Sequence, residues 1–166
     1  CGGEGEVYVS YMGKYLCRRC FIEFYEKKVK NTVIKYGMFK DARRIGVAVS
    51  GGKDSMSLLR AIRNIFPDLE LTAIHINLGI GEYSNECERK VRELCEELGV
   101  ELVIHRLAEE EGFTIPDLLN TPYGRRICGA CGIVKRYLMN RMGWELGVDR
   151  LATGHNLDDT VELLFE

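Results

Sequence analysis

An α/β fold built on a doubly wound parallel sheet is the architecture that this sequence predicts, and three observations predict it. From residue 45 onward, short apolar runs alternate with longer segments of helical periodicity. Glycines and polar turns bound the apolar runs, as they bound the buried strands of a parallel sheet. The chain has 166 residues, 46% hydrophobic and 29% charged, which suffices for one ordinary core. Helices are therefore expected on both faces of one sheet.

The elements follow in chain order. Residues 1–20 are rich in glycine and cysteine and contain short strand-like segments. They are too few to fold without a cross-link or a bound metal. The apolar spacing from Phe21 to about Lys35 is helical, so residues 21–40 are predicted to form a linking helix before a main domain at 41–166. The predicted strands of that domain are 45–49, 71–76, 101–105 and 150–153. Its predicted helices are 54–65, 84–98, 129–143 and one that opens near Leu157, with a loop-rich stretch at 107–127.

Residues 50–55, with the sequence Ser-Gly-Gly-Lys-Asp-Ser, follow the first strand directly and precede a helix. Two glycines let the backbone turn sharply, and the free N–H groups at the helix start point at an anion. Lys53 adds a positive charge, and Ser50 and Ser55 add hydroxyls. The spacing fits neither the Gly-Lys nucleotide loop nor the three-glycine dinucleotide fingerprint. A phosphate loop of another class is predicted, and a ligand-free glycine turn is the alternative.

Residues 151–159 repeat the order of strand, glycine and helix start. Asp158 and Asp159 stand where the helix dipole favours acids, so capping alone explains one of them. Beside a nucleotide, Asp159, or Asp54 across the site, is predicted to hold Mg²⁺ on phosphate oxygens. Both motifs follow predicted strands, and ligands of parallel sheets bind beyond the carboxyl ends of the strands.

The seven cysteines include two Cys-x-x-Cys pairs, Cys17 with Cys20 and Cys128 with Cys131. An odd count with such spacings indicates metal or redox chemistry, not a disulfide framework. Cys128 and Cys131 open a helix one turn apart, so their sulfurs can reach one metal or each other. Lys135, four residues after Cys131, brings a cation to the same face. A pair of small buried residues at a helix start is the alternative, and Cys87 is interpreted as a small helix residue without a function.

Positive charge is concentrated near the start of the chain. Residues 1–44 carry ten Lys and Arg against five Asp and Glu, whereas residues 82–111 carry four against ten. The basic segment can follow a phosphate backbone, although a solvated helix face explains the charges equally well. No stretch resembles a membrane span or a signal peptide, so a cytoplasmic protein without membrane contact is predicted.

The hexapeptide resembles the PP-loop of the ATP pyrophosphatase superfamily, whose enzymes bind ATP there, release pyrophosphate and leave AMP on the substrate. Residues 50–55, 78–84, 128–137 and 152–159 occur in the order found in the TtcA/TtuA family of tRNA thiolation enzymes. The N-terminal cysteine segment resembles the 2-thiouridine branch of that family. The resemblance runs over essentially the whole chain.

This resemblance implies ligand sets for ATP, zinc and iron. The implied ATP site consists of Ser50, Gly51, Gly52, Lys53, Asp54, Ser55, His75, Ile76, Gly154, His155, Asp158 and Asp159. A Zn²⁺ knuckle is implied with Cys17 and Cys20 as one pair and Cys1 as the later member of the other, its fourth ligand lying before residue 1. Cys128 and Cys131 match two of the three cysteines that hold a [4Fe-4S] cluster, and the third is expected beyond Glu166. The chain is accordingly expected to be part of a longer protein.

The resemblance implies replacement of the C2 oxygen of a tRNA uridine by sulfur. ATP adenylates that oxygen, and sulfur carried as a hydrosulfide on the cluster or as a persulfide then displaces AMP. Lys53, Asp54, Lys135 and Asp159 are expected to stabilise charge, and Cys128 and Cys131 to handle sulfur. Besides tRNA, the implied partners are a ubiquitin-like sulfur donor and a second copy in a homodimer. The alternatives are a lysidine-type ligase with an amine nucleophile and a zinc-dependent RNA-binding module with a vestigial nucleotide site.

Overall fold

A two-stranded antiparallel hairpin opens the structure, which is a computed structural model that describes residues 1–162. Strand β1 (Val7–Val9) pairs with β2 (Lys14–Leu16), and Tyr8 lies opposite Tyr15. Helix α1 (Arg18–Lys35) follows at once, so that Cys20 lies in its first turn. Only Val33 of this helix is buried. The rest of α1 is at least partly exposed, which allows this helix to carry several Lys and Arg residues.

Four parallel strands form the central sheet. They are β3 (Arg44–Ala48), β4 (Glu70–Asn77), β5 (Glu101–Arg106) and β6 (Arg150–Thr153), in the spatial order β5-β4-β3-β6. Helix α2 (Lys53–Ile65) joins β3 to β4, and α3 (Gly81–Leu98) joins β4 to β5. The short α4 (Leu107–Glu110) and the long α5 (Ile127–Glu145) bring the chain back to β6, on the other side of β3, and α6 (Leu157–Glu162) follows β6.

Two apolar layers enclose the sheet. Because side chains alternate along a strand, Ile45, Val47 and Val49 point to one face, where they pack with residues of α2 and α3 such as Leu59 and Val91. On the other face, residues such as Leu107 and Leu138 pack with Ile76 and other residues from the segment that leads into α5. Crossovers that run in opposite directions along the sheet place helices on both of its faces.

The structure confirms the doubly wound parallel sheet. The chain leaves β3 in one direction toward β5 and returns to β6 on the opposite side, so the winding reverses between β3 and β6. In such sheets the crevice at the reversal is the usual ligand site. The predicted loop at 107–127 contains α4 and two single turns of 3₁₀-helix. The end of the predicted main domain, residues 163–166, lies outside the described residues.

No helix within residues 1–162 is both long enough and apolar enough to cross a membrane.

Candidate functional site

The loop between β3 and α2 has a shape that only glycine allows. Gly51 has φ +86°, and a Cβ on it would lie 2.8 Å from the Cβ of Cys87 on α3. A side chain at this position would therefore be strained and would collide with α3. The loop lies flat on α3 and leads into the first turn of α2, whose N–H groups are available to an anion.

The two serines of the loop hold it in shape. The backbone N–H of Ser50 donates to the Oγ of Ser55 at 3.1 Å, and that hydroxyl donates to the carbonyl of Gly52 at 3.2 Å. The hydroxyl of Ser50 lies 3.1 Å from the Oγ of Ser55. Both side chains thus stabilise the turn.

The second motif, at residues 153–159, contacts the first directly. A Cβ on Gly154 would lie 2.8 Å from both the amide nitrogen and the Cα of Ser55. Only a residue without a side chain lets the loop after β6 approach the start of α2 this closely. The neighbouring His155 has its Nδ1 3.0 Å from the hydroxyl oxygen of Thr153.

Asn156 and Asp159 cap helix α6. The side-chain oxygen of Asn156 accepts the N–H groups of Asp158 and Asp159 at 2.8 and 3.1 Å, and Asp159 accepts the N–H of Asn156 at 2.7 Å. This is the reciprocal arrangement of a capping box. Capping therefore occupies one oxygen of Asp159 and leaves the other free to face the site.

Lys53 and Asp54 form an ion pair at the start of α2. The Lys53 ammonium donates to both carboxylate oxygens of Asp54, at 2.9 and 2.8 Å. The hydrogen bond to Asp54, together with the charge of that carboxylate, raises the pKa of Lys53. Two cavities meet at this pair. Asp54 lines both cavities, whereas Lys53 lines only the cavity that is bordered by α1 and α2.

The first cavity, of about 360 Å³, lies at the carboxyl ends of β3, β4 and β6. Ten of the residues predicted to bind a nucleotide or to stabilise charge line it: Ser50, Gly52, Asp54, Ser55, His75, Ile76, Lys135, Gly154, His155 and Asp159. The predicted residues Gly51, Lys53 and Asp158 do not line it. The second cavity, of about 640 Å³, is bordered by α1, α2 and residues 153–156.

His75, on β4, forms a hydrogen bond with the residue before the loop that joins β3 to α2. The side chain is 2% exposed, and its Nδ1 lies 2.7 Å from the carbonyl oxygen of Val49, so Nδ1 carries the proton and donates it. Burial lowers the pKa of His75 and thus keeps the ring neutral. The Nε2 atom is buried and has no hydrogen-bond partner within residues 1–162.

A buried ionic cluster fixes α3 to the ends of β4 and β5. The carboxylate of Glu88 accepts hydrogen bonds from Asn77 at 2.9 Å, Arg92 at 2.8 Å and Arg106 at 2.5 Å. Burial alone would raise the pKa of Glu88, but hydrogen bonds from Arg106, Asn77 and Arg92 outweigh it and lower the value to about 2. This cluster holds the helix against which Gly51 rests.

The cysteine pair of α5 lies at the start of the helix, beside the first cavity. Cys128 is exposed, and Cys131 is half-buried against the apolar layer around Leu138. Lys135, one turn after Cys131, lines the cavity. Within residues 1–162, neither cysteine belongs to a group of three donors able to hold a metal. The described residues therefore supply two thiols here, fewer than a cubane cluster requires.

The N-terminal cysteines, in contrast, converge. The sulfurs of Cys1, Cys17 and Cys20 all lie within 4.8 Å of one another, with Cys1 3.4 Å from Cys17 and 3.1 Å from Cys20. A Cβ on Gly3 would lie 3.3 Å from the sulfur of Cys17, so this glycine leaves room for the group. Hydrogen bonds from the backbone and the thiol of Cys20 lower the pKa of Cys17, which favours the thiolate that binds metals.

Comparison with known proteins identifies this architecture. The PP-loop domain family matches residues 23–165, which is most of the chain. The chain belongs to the PP-loop family. The prediction from the Ser-Gly-Gly-Lys-Asp-Ser hexapeptide is thereby confirmed at the level of the family.

Among PP-loop proteins, similar relatives are tRNA-5-methyluridine(54) 2-sulfurtransferases. The protein from Pyrococcus horikoshii is 38% identical over 99% of this chain and 51% of its own length, and that from Thermus thermophilus is 37% identical over 99% and 50%. A similar solved structure is the U34-tRNA thiolase NcsA from Methanococcus maripaludis with its [4Fe-4S] cluster, with a TM-score of 0.79 and 28% identity over 99% of this chain and 55% of that one. The chain spans about half the length of the curated relatives it matches.

Sequence reasoning assigned no site role to several residues that line the cavity, among them Cys87, Arg136 and Met139. Cys87, interpreted as a residue without function, lies on Gly51 and lines the cavity, and Arg136 and Met139 of α5 line it as well. A hydrogen bond to the thiol of Cys87 raises the pKa of Tyr83, which also lines the cavity. Helical spacing could have indicated two of these residues, because residues four apart share a helix face. Arg136 follows Gly132 by four residues, and Met139 follows Lys135 by four.

Proposed function

We propose that the protein is an ATP-dependent tRNA sulfurtransferase that replaces the C2 oxygen of a uridine with sulfur. One observation carries the proposal: a single helix, α5, bears the Cys128-x-x-Cys131 pair at its start and presents Lys135 to the phosphate-loop cavity one turn later. A thiol pair and a nucleotide site are thus adjacent. Relatives whose names include tRNA sulfurtransferase and tRNA thiolase support the same reading.

The first step is adenylation. The N–H groups at the start of α2 bind the outer phosphates of ATP, and the C2 oxygen of the uridine attacks the α-phosphorus, which releases pyrophosphate. Asp54 and the free oxygen of Asp159 lie on the same cavity wall and would hold Mg²⁺, which neutralises charge on the phosphates. Lys135 and Lys53 are proposed to provide further electrostatic stabilisation.

The second step brings sulfur to C2. A sulfur nucleophile at the oxidation level of hydrosulfide adds to the carbon, and AMP leaves with the former C2 oxygen. Cys128 and Cys131 are the thiols placed to deliver this sulfur. The same two residues would supply two ligands of a [4Fe-4S] cluster, which when bound offers an iron site for sulfur. We propose a ubiquitin-like donor protein as the source of the sulfur and a homodimer as the assembly.

The N-terminal segment is proposed to be a zinc knuckle. Thiolates around a tetrahedral Zn²⁺ at bond lengths of about 2.3 Å stand roughly 4 Å apart. The spacing of the three sulfurs of Cys1, Cys17 and Cys20 fits that geometry, with a fourth position for another ligand. Residues 1–20, the linking helix to residue 40 and the PP-loop domain from residue 41 are proposed as the three units of the chain.

The tRNA surface is proposed to include the hairpin and α1. Ten Lys and Arg residues lie within residues 1–44, and Tyr8 and Tyr15 form an exposed ring pair with centroids 5.0 Å apart. Cations bind phosphates and exposed rings stack on unpaired bases. We propose a cytoplasmic location, which agrees with relatives named as cytoplasmic tRNA 2-thiolation proteins.

The two alternatives account for less of the structure. A lysidine-type ligase uses an amine nucleophile and gives no role to the thiols beside the cavity. An RNA-binding module with a vestigial site gives no reason to keep the ion pair of Lys53 with Asp54 and the capping box of Asp159 around a 360 Å³ cavity.

Nucleoside mass spectrometry tests the proposal. Cells that lack the gene should lose one 2-thiouridine nucleoside from their tRNA, and the intact gene should restore it. The variants Cys128→Ser and Cys131→Ser should fail to restore it, yet the purified variants should bind ATP as the unmodified protein does. Cys95→Ala, which changes a buried cysteine of α3 in the main core, should restore it. Normal thiolation with both Cys128 and Cys131 replaced would contradict the proposal.

A further inference from the structure

Helix α5 presents two parallel rows of side chains near the nucleotide cavity. One row contains Cys128, Gly132 and Arg136, at intervals of four residues, and the other contains Cys131, Lys135 and Met139. The last two residues of each row line the cavity. Each row therefore runs from a cysteine at the helix start to a cation beside the nucleotide site.

Gly132 has no side chain, and the side chain of Arg136 occupies the space above it on the surface of α5. A Cβ on Gly132 would lie 3.2 Å from Nη1 and 3.5 Å from Nη2 of Arg136. The guanidinium is therefore folded back over Gly132, toward the start of the helix, and lies at the cavity wall that Gly132 helps to form. Any larger residue at position 132 would compete with the guanidinium for this place.

Among the side chains that the structure describes, which leave out those of Thr160, Glu162 and residues 163–166, no carboxylate forms an ion pair with Lys135 or Arg136 of this wall. Other arginines do bind carboxylates: Arg141 on the same helix binds Glu111, and Arg92 and Arg106 bind Glu88. Two such cations on the wall of a cavity that Ser50, Gly52 and Ser55 of the loop also line form a site for an anion.

We propose that Arg136 binds the α-phosphate of ATP and retains it in the adenylated intermediate. The start of α2 takes the outer phosphates, which leave as pyrophosphate, so the opposite wall contacts the phosphate that remains. That wall belongs to the helix that carries the thiols, and the reacting C2 atom has to lie between the α-phosphate and the sulfur. A planar guanidinium suits this role because it can donate to two phosphate oxygens at once. The inference rests on the proposed ATP chemistry.

Titration of the purified chain with three ligands tests the assignment. Adenosine has no phosphate, AMP has only the α-phosphate, and inorganic pyrophosphate represents the outer phosphates. Loss of a charged hydrogen bond in Arg136→Met should weaken AMP binding about tenfold. Binding of adenosine and of pyrophosphate should not change. Arg136→Lys keeps the charge but lacks the planar guanidinium. This variant should bind AMP with an affinity between those of the wild type and Arg136→Met.

Two glycines of α5 provide a matched pair of variants. Gly132→Ala pushes on the guanidinium of Arg136, whereas a Cβ on Gly129 meets no atom within 4 Å. Both changes favour a helix to a similar degree. Gly132→Ala should therefore weaken AMP binding by about two- to threefold, in line with a partly displaced hydrogen bond, while Gly129→Ala should leave it unchanged.

The outcomes separate this inference from the proposed function. Equal affinities of wild-type protein and Arg136→Met for AMP would overturn the α-phosphate assignment while thiolation by the intact gene still supported the function. Weaker tRNA binding with unchanged AMP binding would also overturn it and assign the guanidinium to the nucleic acid. A wild-type chain that bound neither ATP nor AMP would contradict both.

Discussion

Gly154 lies directly on the backbone of Ser55, so close that a Cβ on the glycine would be 2.8 Å from the amide nitrogen and the Cα of the serine. About a hundred residues separate the two positions in sequence, yet each follows a strand on one side of the winding reversal. The contact sets the distance between the phosphate loop and the capped start of α6. The contact therefore keeps Asp54 and Asp159 on the wall of the same cavity.

Gly154→Ala should separate the two motifs. The added methyl meets backbone atoms, which cannot move aside as a flexible side chain can, so we expect a loss of about 1–3 kcal/mol in the free energy of unfolding. ATP affinity should fall as well, because the cavity walls move apart. Chemical denaturation and ATP titration measure both effects. Gly129→Ala, whose methyl meets no atom within 4 Å, is the control, and an unchanged ATP affinity in Gly154→Ala would show that the contact has no part in the site.

Asp54→Asn should remove the Mg²⁺ dependence of ATP binding. The amide keeps the shape of the side chain but is a poor ligand for a hard cation. ATP titrations with and without Mg²⁺ should give the same affinity in this variant and different affinities in the wild type. Asp68→Asn, an exposed acid in the turn before β4, should behave as the wild type does. A variant with full Mg²⁺ dependence would assign the ion to other ligands.

Zinc should stabilise the N-terminal hairpin. Residues 1–20 bury little apolar surface, so metal binding is expected to supply the free energy that orders them. Elemental analysis should find about one zinc per chain. Cys17→Ser should lower that content and make the peptide bonds of residues 1–20 more sensitive to protease. A hairpin that remains equally protected after metal is removed with a chelator would argue against the zinc assignment.

Stability should fall in acid partly through Glu88. Its pKa is about 2 in the folded protein, below the ordinary value of 4.5, so its contribution is complete above pH 4.5 and is lost as the pH falls toward 2. Glu88→Gln should cost about 2 kcal/mol at pH 7, since it leaves two arginines without their shared partner. Denaturation at several pH values should show a shallower loss of stability between pH 4.5 and 2 in the variant. Glu86→Gln, in an exposed cluster on the same helix, should cost much less than Glu88→Gln at pH 7.

Local patterns were enough to predict the sheet, its helices and the two glycine-containing loops that follow β3 and β6. Runs such as Ile45 to Val49 are apolar because both faces of a central strand are buried, and a double glycine before a helix has few other uses. The structure found these elements within a few residues of their predicted ends. Helices α1 and α3 each begin three residues before the predicted start, at Arg18 and Gly81, so α1 includes Cys20. The predicted roles of the site residues, Lys53 and Asp158 among them, remain predictions.

Residues that meet across the fold could not be found in this way. The collision of Gly51 with Cys87, the buried position of Glu88 between Arg92 and Arg106, and the shared cavity of Asp54 and Lys135 join segments that are tens of residues apart. The sequence by itself determined where the backbone is strand, glycine turn or helix, because those choices depend on neighbours a few residues away. Only the tertiary structure decided which side chains share a cavity, because that depends on how the sheet reverses its winding between β3 and β6 and brings distant loops together.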